Sequence, residues 1–208
     1  MSRLSAYHHG ALRAALLEEA RLLLAEGGIG AVSVRSVAGR VGVSHAAPYH
    51  HFPDKASLMA ALAMEGFERL KAAFENAQRD AGPEATERLA AIGRAYVEFA
   101  VADPELFRLM FRNDSCGSPL SEPGQQLQSA SRSAFDYLLE AVAAGQLAGT
   151  VAPADPQELA LAAWSGVHGL ALLLVDGPLE VGGTVQATTN SVVNRLLDGI
   201  RARQDPVS

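Results

Sequence analysis

The chain has 208 residues, of which 49% are hydrophobic and 19% are charged, enough to build one or two globular domains with proper cores. Its single cysteine, Cys116, excludes an internal disulfide framework and is typical of a cytoplasmic protein. The net charge of −6 at first argues against a nucleic-acid partner. However, residues 1–55 hold six Lys/Arg and four Asp/Glu, a local charge of +2, while the remainder carries −8. Because local potential governs contact with phosphate, a DNA-binding N-terminal part is not excluded.

The first predicted helix spans about residues 8–26 and ends at a Gly27-Gly28 pair. Acidic residues interrupt its apolar positions, so the start of the chain does not predict a signal peptide. The longest strongly apolar stretch, around residues 167–175, is predicted to be too short to span a bilayer. These features predict a cytoplasmic protein with no membrane partner.

Residues 33–52 predict two short helices joined by a tight turn. Ser33 is a suitable N-cap for the first, Gly42 supplies the turn, and Ser44 is predicted to cap the second. Pro48 lies in the first turn of the second helix, where it is predicted to be tolerated. Helices this short need neighbours to be stable. The layout is typical of a helix-turn-helix, whose second helix enters the DNA major groove.

The rest of the chain also has helical periodicity. A fourth helix is predicted from about Asp54 to Arg79, with Asp54 as its cap. Five more are predicted over roughly 85–102, 103–112, 125–144, 155–175 and 184–203. No segment alternates long enough to predict a strand. The fold class is therefore all-α with about nine helices. Cys116 lies in a Ser/Gly/Pro-rich loop and is either a redox sensor or an incidental thiol.

Two motifs give the chain a family resemblance. Ser33…Val37-Ala38…Val41-Gly42-Val43-Ser44 and Tyr49-His-His-Phe-Pro-Asp-Lys55 resemble the TetR/AcrR family of transcriptional regulators. Residues 103–111 and Trp164-Ser-Gly-Val-His-Gly169 resemble, more weakly, the subgroup named for its Trp, His and Gly. The resemblance implies a DNA-binding domain over residues 1–68, built on a three-helix helix-turn-helix bundle. It also implies that residues 69–208 form a helical domain that binds a small ligand and dimerises.

The DNA contacts are predicted to divide between phosphates and bases. By the resemblance, Lys55 and Tyr49 touch phosphates, and free amide groups at the helix start beside Lys55 assist. The full set of candidates is Arg35, Ser44, His45, Ala46, Tyr49, His50 and Lys55. The recognition helix lacks arginine, so the common bidentate contact to guanine is absent. A metal site at the clustered histidines is not predicted, since no acid or cysteine lies at ligand spacing beside them.

Large apolar and amphipathic residues in the C-terminal half are either a ligand pocket or an ordinary core. The candidates for ligand contact are Phe99, Phe107, Met110, Phe111, Trp164 and His168. Trp164 and His168 are four residues apart and share a helix face. His168 is either a pocket residue or a core histidine bonded to a carbonyl.

The last two predicted helices carry apolar stripes that indicate a four-helix dimer interface. The stripes are Leu159, Ala163, Val167, Leu170 and Leu174 on one helix, and Val185, Val192, Leu196 and Ile200 on the other, with Val193 and Leu197 beside them. No motif of an enzyme or cofactor site occurs. The sequence therefore predicts a homodimeric, sequence-specific DNA-binding transcriptional regulator, a repressor released from a palindromic operator by a small apolar or amphipathic ligand. The alternative is a ligand-binding or interaction protein whose DNA function is secondary or lost.

Overall fold

The computed structural model describes residues 3–112, 118, 120–177 and 183–202, with side chains from residue 11 onward. The helices are α1 Arg3–Ala31, α2 Val34–Val41, α3 Lys55–Asp80, α4 Ala85–Ala102, α5 Pro104–Met110, α6 Glu122–Leu147, α7 Pro156–Asp176 and α8 Val185–Ile200, with a 3₁₀ helix at Ala47–His50. Within these residues the only β-type pairing is an isolated bridge between Val151 and Arg201. The all-α fold class is confirmed, with eight α-helices where about nine helices were predicted.

The chain divides into two compact units. The first unit combines Met1–Phe67 with Asp103–Ser131, and the second combines Glu68–Ala102 with Arg132–Ser208. The first break lies next to the predicted boundary after residue 68. The first unit also contains α5, which the sequence analysis assigned to the C-terminal domain. Helical periodicity predicts that α5 has a buried face but does not reveal which helix covers it.

The caps of α2 follow from its sequence. Ser33 and Ser36 form a reciprocal capping box, in which the Ser33 hydroxyl accepts from the Ser36 amide at 3.0 Å. Gly42 ends the helix with a φ of 77°, a left-handed conformation that favours glycine. Both predicted caps are confirmed, and together they fix where the turn begins.

In the second unit, α7 packs against α4 and α8 at points where glycine permits close approach. A Cβ on Gly93 of α4 would lie 3.5 Å from Val167 of α7, and one on Gly166 of α7 would lie 2.6 Å from Leu196 of α8. Two residues of the predicted α7 dimer stripe, Val167 and Leu170, are instead buried inside this unit. The stripe prediction is wrong at these positions because α7 is apolar on most sides, so periodicity cannot select its outward face.

The structure also corrects the predicted length of the apolar segment in α7. Among the described residues, α7 is the one helix long and apolar enough to cross a membrane by length and composition. Core helices of soluble proteins pass the same test, yet only 22% of the most apolar window is buried within the chain. Much apolar surface on α7 is therefore left uncovered by its own chain.

Candidate DNA-binding and regulatory sites

The recognition segment is a turn followed by a 3₁₀ helix rather than an α-helix. Between Ser44 and His51 its bonds join residues three apart: the Ala47 amide donates to the Ser44 carbonyl at 3.1 Å, and the His51 amide to the Pro48 carbonyl at 2.9 Å. Pro48 has no amide proton and therefore cannot make the bond to residue 44 that an α-helix needs. The N-cap is Ala46, without a side-chain bond, so the predicted cap by Ser44 is wrong.

The residues predicted to contact DNA lie at the surface of the first unit. Ser44, His45, Ala46, Tyr49 and His50 are exposed, as are Arg35 and Lys55, with 51% of Tyr49 accessible. Pro48, between them, is buried and fixes the segment to the unit. The sequence therefore located an accessible segment correctly, although the structure does not test the contacts themselves.

The start of α3 places Lys55 and Asp54 side by side with different partners. The Lys55 ammonium donates to the Ile29 carbonyl at 2.7 Å. The Asp54 carboxylate accepts from both the hydroxyl and the amide of Ser57 at 2.7 Å, and these bonds, led by the one to the hydroxyl, lower the pKa of Asp54. The amide groups at this helix start were predicted to assist in binding phosphate, but the amide of Ser57 already binds Asp54.

Ion pairs and a ring contact brace the scaffold behind this surface. Arg40 of α2 makes two 2.9 Å bonds to Glu26 and one of 3.1 Å to Glu19, both on α1. The Arg40 guanidinium lowers the pKa of the Glu26 carboxyl. The Arg13 guanidinium lies 5.4 Å from the centre of the Phe52 ring. Because the ion pairs are largely exposed, they contribute little to the free energy of unfolding, and their main effect is to orient α2 on α1.

A hydrogen-bonded cluster joins α4 and α7 in the second unit. The Tyr96 hydroxyl lies 2.7 Å from Nδ1 of His168, and Nε1 of Trp164 donates to the same hydroxyl at 3.2 Å. Because the indole N–H only donates, the Tyr96 hydroxyl accepts from it. The direction of the bond between this hydroxyl and Nδ1 of His168 follows the tautomer of the imidazole. Burial raises the pKa of Tyr96 and lowers that of His168. His168 is therefore bonded to a tyrosine hydroxyl, a partner that sequence reasoning did not identify.

The six predicted ligand residues fall into two groups. Trp164, His168 and the half-buried Phe99 belong to the second unit, where the Phe135 ring lies 5.9 Å from Trp164. Phe107, Met110 and Phe111 belong to the first unit. Phe107 is fully buried with its ring centre 5.1 Å from Phe111, which contacts the Phe67 ring at 5.5 Å, and Met110 packs over Gly66.

The second unit is expected to lose stability as the pH falls below about 6.5. Burial lowers the pKa of His168, so the folded chain keeps the imidazole neutral while the unfolded chain takes up a proton. This contribution is fully present above the ordinary histidine pKa and is lost as the pH falls toward the lowered value. Urea unfolding followed by the fluorescence of Trp164, the single tryptophan, measures it. The free energy of unfolding should depend less steeply on pH in His168→Gln than in the wild-type chain. An unchanged pH dependence in that variant would show that His168 is not the group responsible.

Among the described residues, no group of three or more His, Cys, Asp or Glu is placed to hold a metal ion. Cys116, named above as a redox sensor or incidental thiol, lies outside the described residues.

An exposed recognition segment on a helical N-terminal unit, followed by a second helical unit, is typical of helix-turn-helix transcriptional regulators. The family model described as "Bacterial regulatory proteins, tetR family" matches residues 16–62. The model described as "Tetracyclin repressor-like, C-terminal domain" matches residues 89–199. The chain therefore belongs to the TetR family of DNA-binding regulators. The second description does not name the Trp-His-Gly subgroup, so that finer resemblance stays a prediction.

Known proteins resemble the chain over different lengths. The HTH-type transcriptional repressor Rv1474c of Mycobacterium tuberculosis is 40% identical over 72 residues, which cover 35% of this chain and 38% of the relative. A protein with unknown function from Rhodococcus sp. RHA1 is 38% identical, with a TM-score of 0.83 over 95% of this chain and 98% of the other. AibR, whose structure contains isovaleryl coenzyme A and operator DNA, shares the fold at 19% identity, with a TM-score of 0.63 over 90% of this chain and 97% of its own.

Proposed function

We propose that the protein is a homodimeric repressor that binds a palindromic operator and leaves it when a small ligand occupies the second unit. The observation that carries the proposal is the exposed recognition segment, with Tyr49 half exposed and Lys55 held at the start of the next helix. The similarity to a transcriptional repressor over 72 residues and to AibR, whose structure contains operator DNA, also supports a DNA-binding function.

The residues of the DNA-binding surface are proposed to fall into two groups, one that contacts phosphates and one that contacts bases. Arg35, Tyr49 and Lys55 offer two cations and a hydroxyl to phosphate oxygens, which fix the position of the protein on the duplex. The bases are read by Ser44, His45, Ala46 and His50. Histidine nitrogens donate to purine acceptors, and the Ala46 methyl group suits the methyl group of thymine. With no arginine in this segment, discrimination does not depend on bidentate contact to guanine.

Lys55→Ala is expected to weaken binding to all DNA sequences by a similar factor. If the lysine neutralises one phosphate, the slope of log affinity against log salt concentration falls by about 0.9 per protomer. Lys71→Ala is the matched control, because it removes the same charge from the same helix roughly 24 Å away. Fluorescence titrations at several salt concentrations measure both. An unchanged slope with altered base preference would show that Lys55 acts on bases instead.

The dimer is proposed to form through α7 and α8. Leu173 is 40% exposed and Val185 is 41% exposed in the isolated chain, while Val192 and Leu196 are partly exposed. Leu173 shares the face of α7 that carries Gly166, against which Leu196 of α8 packs, so Leu173 and Leu196 form one apolar surface. Two such surfaces related by a two-fold axis give a four-helix interface and cover the exposed part of α7.

The ligand is proposed to be small and amphipathic, and to bind at the Tyr96–Trp164–His168 cluster. Aromatic rings supply apolar contact there, and the hydroxyl and imidazole supply polar groups. α3 runs unbroken from Lys55 to Asp80 and carries residues of both units, so it is the proposed route to the DNA site. Such coupling is typically about 1–3 kcal/mol and is reciprocal. Native mass spectrometry identifies any ligand that the purified protein retains. Calorimetry then measures the affinity for this ligand with and without operator DNA. Equal ligand affinities in the two cases would exclude the coupling.

The proposed repressor acts in the cytoplasm, where its DNA partner lies. Such a repressor needs no catalytic step and no cofactor, in line with the absence of enzyme motifs from the sequence. The exposed apolar surface of α7 is assigned to the dimer rather than to a membrane.

A further inference from the structure

A glycine turn near the end of α1 has a conformation that other residues do not adopt without strain. Gly27 has φ −147° and ψ 17°, and Gly28 has φ 65° and ψ −169°. The second pair of angles falls in a region that is essentially restricted to glycine. A Cβ on Gly28 would also lie 3.2 Å from the Glu105 carboxylate of α5. Any side chain at position 28 therefore forces the turn to change.

The turn presents the Ile29 carbonyl to Lys55 of α3. The ammonium donates to this carbonyl at 2.7 Å, across 26 residues of sequence. Lysine has a flexible four-carbon stem, and an exposed lysine normally samples many rotamers. Its ammonium carries three donors, so one bond to Ile29 leaves donors for a phosphate oxygen.

We propose that the Gly27-Gly28 turn positions Lys55 as a pre-oriented phosphate ligand, and that the bond to Ile29 persists when DNA binds. The inference rests on the DNA function proposed above. Ordering the side chain before binding removes an entropic cost that corresponds to about 2- to 10-fold in affinity per protomer. Gly28 is thus a positioning residue that acts on DNA through Lys55.

Two other roles for Lys55 lead to different results. If its bond only closes the turn, Lys55→Ala lowers stability without changing the salt dependence of DNA binding. If Lys55 acts only as a mobile charge, Gly28→Ala leaves binding unchanged. A double-mutant cycle separates these roles from positioning, because it measures whether two residues act through one interaction.

The cycle compares the full-length wild-type chain with Gly28→Ala, Lys55→Ala and the double variant. The probe is a fluorescein-labelled mixed-sequence DNA duplex, titrated at several salt concentrations. Gly30→Ala is the matched control, because a Cβ at Gly30 meets nothing within 4 Å and its φ is not positive. Thermal unfolding establishes that each variant is folded.

Each single variant at Gly28 or Lys55 is expected to bind several-fold more weakly, while Gly30→Ala binds like wild type. Gly28→Ala should cause no further loss in the Lys55→Ala background. Losses that multiply, or a Gly28→Ala variant with normal affinity, would overturn the inference. Failure of the wild-type chain to bind the duplex at all would instead overturn the proposed function, and the inference with it.

If Gly28→Ala does not fold, the wild-type chain still provides a test. The ¹³C shift of the Ile29 carbonyl reports its bond to Lys55, with Lys55→Met as the unbonded reference. A bonded shift that persists when the duplex is added supports positioning. A shift that moves to the Lys55→Met value on adding DNA overturns it, since the lysine would then leave the turn to reach phosphate.

Discussion

Leu173→Glu is expected to convert the dimer into folded monomers that bind operator DNA far more weakly. The side chain is 40% exposed in the isolated chain, so the new carboxylate does not enter that chain's own core. In a two-fold interface it places an unpaired charge in each half, at about 3–5 kcal/mol per buried charge. The dissociation constant of the dimer should therefore rise at least ~100-fold. Operator affinity falls with it, because two recognition segments must lie ~34–36 Å apart.

Sedimentation equilibrium over a range of concentrations measures this dissociation. Asn194→Glu is the control, because it adds the same charge to an exposed polar position of α8 and should leave the dimer intact. A Leu173→Glu chain that sediments as a dimer at wild-type concentrations would place the interface elsewhere.

Phe107→Ala is expected to destabilise the first unit by about 3–5 kcal/mol, the usual loss for removing a buried phenylalanine side chain. Phe107 has no exposed surface, and its ring packs beside Phe111. Urea unfolding followed by circular dichroism measures the loss, while Trp164 fluorescence follows the second unit separately. Phe99→Ala, at a half-buried position, should cost less. A loss below about 1 kcal/mol for Phe107→Ala would show that the residue lines a space instead of filling a core.

Local patterns predicted the features of this fold that depend on neighbouring residues. Ser33 and Gly42 cap α2 as expected, because capping depends on groups within a few positions along the chain. Trp164 and His168 share a face because they lie four residues apart on one helix. The recognition segment departed from prediction where Pro48 removed a backbone donor, and 3₁₀ bonds replaced the α-helical ones.

Long-range partners were not predictable in the same way. Tyr96 is bonded to His168 across 72 residues, and no local pattern distinguishes it from other buried aromatic residues. For Phe107 and Met110 the sequence left a ligand pocket and an ordinary core open, and it did not predict the unit in which they are buried. The bond from Lys55 to the Ile29 carbonyl depends on the backbone angles of a turn, and the glycine pair was the one sign of that turn in the sequence.

The most direct test of the proposed function is selection of DNA by the purified protein. The full-length chain is mixed with a pool of random duplexes, and the bound fraction is sequenced over successive rounds. The account predicts enrichment of an inverted repeat whose half-sites lie about one helical turn, ~10 bp, apart or a multiple of it. A folded dimer that enriches no sequence over the starting pool would contradict it. The chain would then be better described as a ligand-binding or interaction protein that has lost its DNA function.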